Sequence, residues 1–324
     1  MFEQNRPMIV TFVVLLLLFA ACAIQFPFIL SGRVAGNLLT DSAFLGVLAV
    51  GMTVVIISGG IDLSVGAVLA FVSVLIAVLI EQHQINTFAA FGIAVALATG
   101  FGALIGAAIN FLRAPPFIVT LAGMFLARGG CFLLTNDSIP VNHPTYGQLS
   151  AAALPLPGGG VLTLSAGIML LALIAAAVML RATRFGASVY ALGGDPKAAG
   201  LMGVRTGRTT VAIYAFSGFM AALAGILFSI YTQSGYPLAA VGIELDAIAA
   251  VVIGGTLLSG GYGGVLGTLF GVLILGLIQL YITLEGTLSS WWARIATGAL
   301  LFMFIAIQRI ILMLASRNKE PALG

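Results

Sequence analysis

Charged residues are few in this 324-residue chain, and the chemistry it can do is confined to a handful of positions. Asp62 lies in Ser58-Gly59-Gly60-Ile61-Asp62-Leu63-Ser64, where one acid and two glycines interrupt an apolar run. An aspartate so placed has two readings. It caps the following helix near the cytoplasmic surface, or it belongs to a broken helix lining a water-filled path, the usual setting for irregular backbone at membrane depth. Gly59, Gly60, Asp62 and Ser64 are the candidates either way, as a translocation path or as a structural turn. Glu244 and Asp246 open a later apolar run at its outer side, where solvated helix-start acids are the default. Arg128 lies toward the outer end of another run, close enough to snorkel. His83 and His143 fall in separate loops, and His143, between Asn142 and Pro144, reads as a surface turn residue. No metal-ligand spacing exists, and no Ser/His/Asp arrangement can be argued. The only lysines, Lys197 and Lys319, do not complete a phosphate-binding G-x-x-x-x-G-K-[ST] loop. By that signature the chain does not hydrolyse ATP. If ATP drives it, another subunit holds the nucleotide.

The largest concentration of charge is a polar island at residues 181–208, RATRFGASVYALGGDPKAAGLMGVRTGR, which holds five of the thirteen basic residues. Within it Gly193, Gly194, Asp195 and Pro196 read as a helix start. Asp195 accepts from first-turn N–H groups, and Pro196 suits the first helical position, where no N–H is needed. A short helix over residues 197–202 then stops at Gly203, which tolerates the left-handed conformation. Such an element is either a solvated cytoplasmic loop or a docking element for a cytoplasmic partner, and charge alone favours the loop.

The elements that hold these residues follow from composition. The chain is 61% hydrophobic and 7% charged, with mean hydropathy +1.18, against about 25% charged in soluble domains. It is an all-α polytopic membrane protein, a single transmembrane domain over 1–324. Ten candidate spans are expected at 8–26, 41–58, 63–80, 87–110, 117–134, 163–180, 209–230, 243–258, 264–283 and 292–313. With the N-terminus inside, Arg6, Arg113, the five island residues, Arg309, Arg317 and Lys319 face the cytoplasm, ten of thirteen basic residues. The opposite orientation inverts that ratio, so both termini are placed inside. The same distribution explains the pI near 9.1 without nucleic acid. Cys22 and Cys131 lie in apolar runs, which argues against a structural disulfide.

Glycine breaks and spacings complete the picture. Gly263, Gly267 and Gly271 recur every four residues, as do Gly102 and Gly106, so helices approach closely there. Trp291 and Trp292 read as an interfacial anchor. The longest outer loop, 135–160, contains four prolines. VVIISGGIDLSVG (54–66) and VVIGGTLLSGGYG (251–263) are weakly alike, too weakly to define a repeat.

Several of these segments carry a resemblance. NLLTDSAFLGVLAVGMTVVIISGGIDLSVG (37–66), TLAGMFLARGG (120–130), RFGASVYALGGDPKAAGLMGV (184–204) and ELDAIAAVVIGGTLLSGGYGGVLGTLFG (244–271) resemble the permeases of bacterial ABC importers for monosaccharides, the ribose, xylose and galactoside group. The likeness spans nearly the whole chain in order. IPVNHPTYGQLS (139–150) and EGTLSSWWARIATG (285–298) are similar to the second permease subunit of the galactofuranose importer. The resemblance implies a transport subunit and not an enzyme, in the bacterial inner membrane. It further implies a second, paralogous permease (a homodimer being the alternative), a periplasmic sugar-binding protein, and a cytoplasmic ABC ATPase that holds ATP and Mg, with no cofactor on this chain. It places the coupling segment toward the ATPase at Gly194, Asp195, Pro196, Lys197, Ala198, Ala199 and Gly203. Many relatives have Asn where this chain has Asp195, and both cap helices well. Asn142, His143, Glu244 and Asp246 are the expected docking residues for the binding protein, as part of the polar outer surface. The competing class is an ion-coupled secondary transporter, which places ionisable residues or broken helices near the midplane. Here the acids cluster toward span ends.

Overall fold

The computed structural model describes residues 6–317 apart from 157 and 290, with side chains over 8–306. The side chains of Arg6, Arg309 and Arg317, and Lys319 altogether, lie outside the described residues. Fourteen α-helices are described. α1 (Arg6–Gln25) leads through a short 3-10 turn (Pro27–Leu30) to α2 (Gly32–Asp41) and α3 (Ala43–Ile57). α4 (Val65–Ala77) continues into a π-helical turn (Val78–Gln82), followed by α5 (Thr87–Leu112) and α6 (Pro116–Leu134). On the outer side come β1 (Ile139–Pro140), α7 (Pro144–Ala151), β2 (Ala153–Leu156) and β3 (Gly160–Thr163). α8 (Leu164–Ala182), α9 (Arg184–Gly194), α10 (Pro196–Leu201) and α11 (Thr206–Thr232) follow, then β4 (Ser234–Gly235), α12 (Ile243–Ile253), α13 (Val265–Glu285) and α14 (Trp291–Arg317).

Every expected span coincides with a helix, and among the described residues seven helices are long and apolar enough to cross a membrane singly. The second span is the bent pair α2–α3, 53° at Ser42. The eighth differs most from expectation. α12 has 11 residues, about 16 Å at ~1.5 Å per residue, half of a ~30 Å hydrocarbon core. Gly254 and Gly255 stop it early although the apolar run continues to Leu258. The outer loop is also more ordered than its prolines suggest. β2 pairs with β3 and β1 with β4, both antiparallel, and β3 rests on α2, where Gly160 lies against the Gly32 carbonyl.

α11 is the hub. Its face carrying Ile213, Tyr214, Ser217, Gly218, Ala221 and Gly225 is buried among α3, α4 and α5. Gly102 and Gly106 of α5 meet α11 at Tyr214 and Val211, and Gly267 and Gly271 of α13 meet α12 at Gly254 and Ala250. A methyl group at any of the four would collide with backbone, so the glycine spacing does set helix contacts. Gly263 lies before α13 and contacts Thr256 instead. α3 is buried on all sides, whereas α5 and α6 present Leu104, Phe111, Phe125 and Leu133 outward, as lipid-facing helices do.

Candidate coupling and translocation site

The two glycine-broken runs end their helices in the same way. After α3, Gly59 N–H donates to Ile56 O (2.9 Å) and Gly60 N–H to Val55 O (3.0 Å). After α12, Gly255 N–H donates to Val252 O (2.9 Å) and Thr256 N–H to Val251 O (3.2 Å). Gly59 and Gly255 have φ of +83° and +91°. Both ends are Schellman motifs, with a glycine in the left-handed position a side chain disfavours. The faint likeness of 54–66 to 251–263 therefore reflects a shared backbone device.

Asp62 is buried beyond the first break. Its Oδ1 accepts from Ser64 N–H (3.0 Å) and Ser64 Oγ–H (2.6 Å), and its Oδ2 from Ser217 Oγ–H (2.7 Å). The neighbouring Ile61 carbonyl accepts from Tyr214 (3.3 Å) and Thr120 (3.4 Å). Ser217 lies about 16 Å along α11 from Thr206 at ~1.5 Å per residue. Asp62 is thus at membrane depth, inside a turn whose polar groups are satisfied by α6 and α11. It is not the cap of α4. Ser64 holds that position and makes no side-chain cap bond. Gly59, Gly60, Asp62 and Ser64 together form a joint, of which Gly60, Asp62 and Ser64 are buried and Gly59 is exposed.

The island takes the form its sequence indicates. Asp195 accepts from Lys197 N–H (2.8 Å) and Ala198 N–H (3.1 Å), Pro196 starts α10, and Gly203 has φ +87°. The direction of its side chains was not legible. Ala199 is fully buried against its own chain, so it presents no contact surface. The exposed side of α10 is formed by Pro196, Lys197, Leu201 and Met202, with Leu201 91% exposed. Just before α10, Gly193 meets the first break at the Ile57 carbonyl and the second at Gly261 N. Gly261 N–H in turn donates to Ile57 O (2.8 Å). Gly260 approaches both Gly59 and Gly193 within van der Waals distance. Three glycine pairs from distant parts of the chain therefore meet backbone to backbone, and α9–α10 touches both breaks at one point. Tyr190 of α9 ties in further by donating to Gly263 O (2.8 Å). Burial pushes its phenol pKa up, partly offset by Arg181.

On the outer side the structure separates the four expected docking residues. Asn142 is exposed and its N–H donates to Glu81 (2.8 Å). His143 is the N-cap of α7, its Nδ1 accepting from Thr145 N–H (3.3 Å), in keeping with a turn residue. Glu244 and Asp246 are only half exposed. The Glu244 carboxylate lies against Gly66 at the start of α4, so it is not a solvated helix-start acid. Arg128 does not snorkel. It is half-buried and donates to the Pro237 and Ala239 carbonyls (2.9 Å for the latter), holding the loop before α12.

Residues 34–305 match a family described as the permease component of branched-chain amino acid transport systems. The chain belongs to this permease family. It is 54% identical to the inner membrane ABC transporter permease protein YjfF of Escherichia coli K12, over 99% of this chain and 97% of that protein. It is 37% identical to the ribose import permease protein RbsC of the same strain, over 84% of each. It is 34% identical to the fructose import permease protein FruG of Bifidobacterium longum NCC 2705, over 87% of this chain and 84% of that protein. No solved structure matches. The permease is a multi-pass membrane protein, and its relatives are transport subunits, not enzymes.

Sequence reasoning missed Ser217 and Gly261 of this permease's joint, and read Gly193 only as part of a helix start. Their signal exists only in contact. Ser217 is one serine in an apolar helix, 155 residues from its aspartate, and the contact that Gly193 and Gly261 make is not visible until the breaks are brought beside them.

Proposed function

We propose that the chain is one permease subunit of an ATP-driven importer that carries a monosaccharide, galactofuranose, across the bacterial inner membrane. It works with a paralogous second permease, a periplasmic sugar-binding protein and a cytoplasmic ABC ATPase that supplies ATP and Mg. The printed names of the relatives, import permeases for ribose and fructose among them, support the sugar class. The galactofuranose assignment rests on the patches at 139–150 and 285–298.

The observation that carries the mechanical reading is the glycine junction. α10 is a capped knob with an exposed apolar tip, Leu201 and Met202, suited to a groove on the ATPase. A displacement of that knob reaches both helix breaks through Gly193, with no soft side chain between to absorb it. The breaks connect to α3–α4 and α12–α13, which tilt as the permease pair moves between outward- and inward-open states. Asp62 serves this as a buried acceptor that keeps the first joint in shape, not as a proton carrier. Ser64 N–H, Ser64 Oγ–H and Ser217 Oγ–H all donate to it, the arrangement that suits an ionised acceptor.

Uptake by proteoliposomes holding the reconstituted complex tests the assignment. Galactofuranose uptake should require the binding protein and ATP, and galactopyranose should compete weakly. Uptake driven by an ion gradient without the ATPase would favour the secondary-transporter reading.

A further inference from the structure

A cavity of about 580 Å³ opens at the outer end of the bundle, between α2, the start of α12, the last turns of α13 and the first turns of α14. Its volume is within the ~300–1,000 Å³ of small-molecule sites. Its chemistry is mixed. Asn37, Asp41, Asp246 and Gln279 bring carboxylates and amides, Arg294 brings a guanidinium, and Trp291 brings an aromatic wall. Arg294 is near enough to Asp246 to offset its charge, and Tyr231 donates to Asp41 (3.1 Å). The side chains of Asn37, Asp246 and Gln279 have no hydrogen-bond partner among the described residues.

We infer that this cavity is a transit site for one neutral monosaccharide on its way from the binding protein into the permease. The inference rests on the importer reading above and adds the place where the sugar pauses. A sugar ring has hydroxyls that both donate and accept and faces that are largely C–H. Carboxylates accept from such hydroxyls, amides serve both roles, and an indole face suits the C–H side. A cation needs several convergent carboxylates without an opposing guanidinium. An anionic lipid headgroup would meet two acids. Free side-chain donors and acceptors, with the charge of Asp246 partly offset by Arg294, favour a neutral polyhydroxylated ligand. Without buried charge or tight enclosure the site holds its ligand weakly, as passage requires. Asp246, expected at the docking surface, instead faces this cavity.

The test uses the assembled complex without binding protein. Gln279 is exposed and both native cysteines of this chain are buried, so Gln279→Cys gives a reporter for a membrane-impermeant maleimide, read on this subunit's band. D-ribose, D-fructose and D-galactose are added in turn at high millimolar concentration, with sorbitol as the open-chain control. At least one sugar should slow labelling about tenfold, sorbitol should not, and Leu133→Cys on the lipid face should be unaffected. In the full system Gln279→Leu and Asn37→Leu should each lower uptake about tenfold, the usual scale for lost ligand hydrogen bonds. Labelling indifferent to every sugar, or protection relieved by removing lipid, overturns the site. So do leucine variants that transport normally while the wild-type complex takes up sugar. A wild-type complex that takes up no sugar defeats the importer reading and this site with it.

Discussion

Replacing Gly193 with alanine should disconnect the knob from the breaks. A Cβ there would collide with the Ile57 carbonyl and lie 2.5 Å from Gly261 N. Both neighbours are backbone, so no rotamer relieves the clash. Overpacking of this kind costs ~1–3 kcal/mol. Wedging Ile57 from Gly261 also breaks their 2.8 Å hydrogen bond, and leaving the carbonyl of the buried Ile57 unsatisfied costs a further ~1–3 kcal/mol. The local penalty is about 2–6 kcal/mol, enough to open the junction while the spans stay packed. The control is adjacent, because a Cβ at Gly194 has nothing within 4 Å. The assay compares ATP hydrolysis by purified complexes with and without sugar-loaded binding protein. Gly193→Ala should hydrolyse ATP at a rate that no longer responds to the binding protein, with uptake lost. Gly194→Ala should match wild type. Equal, normal behaviour of the two variants would refute the junction as the mechanical link.

Further outcomes follow from the same contacts. Asp62→Asn keeps an acceptor for Ser64, and Ser217 can turn its hydroxyl to accept from the amide, so uptake should stay within about threefold of wild type. Asp62→Leu leaves three donors without their acceptor at ~1–3 kcal/mol each, and detergent-solubilised protein should unfold at lower temperature or fail to accumulate. Abolished uptake in a well-expressed Asn variant would mean the charge itself is needed. Arg128→Met removes two charge-assisted bonds to the 237–239 carbonyls, worth ~1.5–3 kcal/mol each. Proteolysis of outer-side loops should then cut near residue 238 sooner than in wild type, and equal cutting would contradict the role given to Arg128. Cysteines at positions 197 and 143 should label only from the cytoplasm and only from outside, respectively, and periplasmic labelling at 197 would reverse the topology.

The span pattern was legible because it is local. Apolar runs with proline and glycine at their ends fix helix positions whatever packs on them, and Asp195, Pro196 and Gly203 marked α10 with the same economy. Local signals failed where a partner decides. The run 243–258 looked long enough to cross, and only the Schellman end at Gly255 shows that its helix stops at Ile253. Asp62 looked equally like a surface cap and a membrane-depth joint until Ser217 was placed beside it. Glu244 looked solvated because it opens an apolar run, but Gly66 gives it a slot in α4. The caps of α10 were legible but the burial of Ala199 was not, since a one-and-a-half-turn helix gives no periodicity from which to read its buried side.

The central claim is that α10 receives the ATPase and passes its movement to the breaks. Cross-linking from a cysteine at Leu201, the most exposed apolar side chain of α10, tests it most directly. In the assembled complex, Leu201→Cys should cross-link to the ATPase with a short thiol-to-amine reagent, and the yield should change when ATP is added. A cysteine at Phe111, exposed outside the island, should give none. No cross-link from position 201 in a complex that hydrolyses ATP and transports would contradict the account.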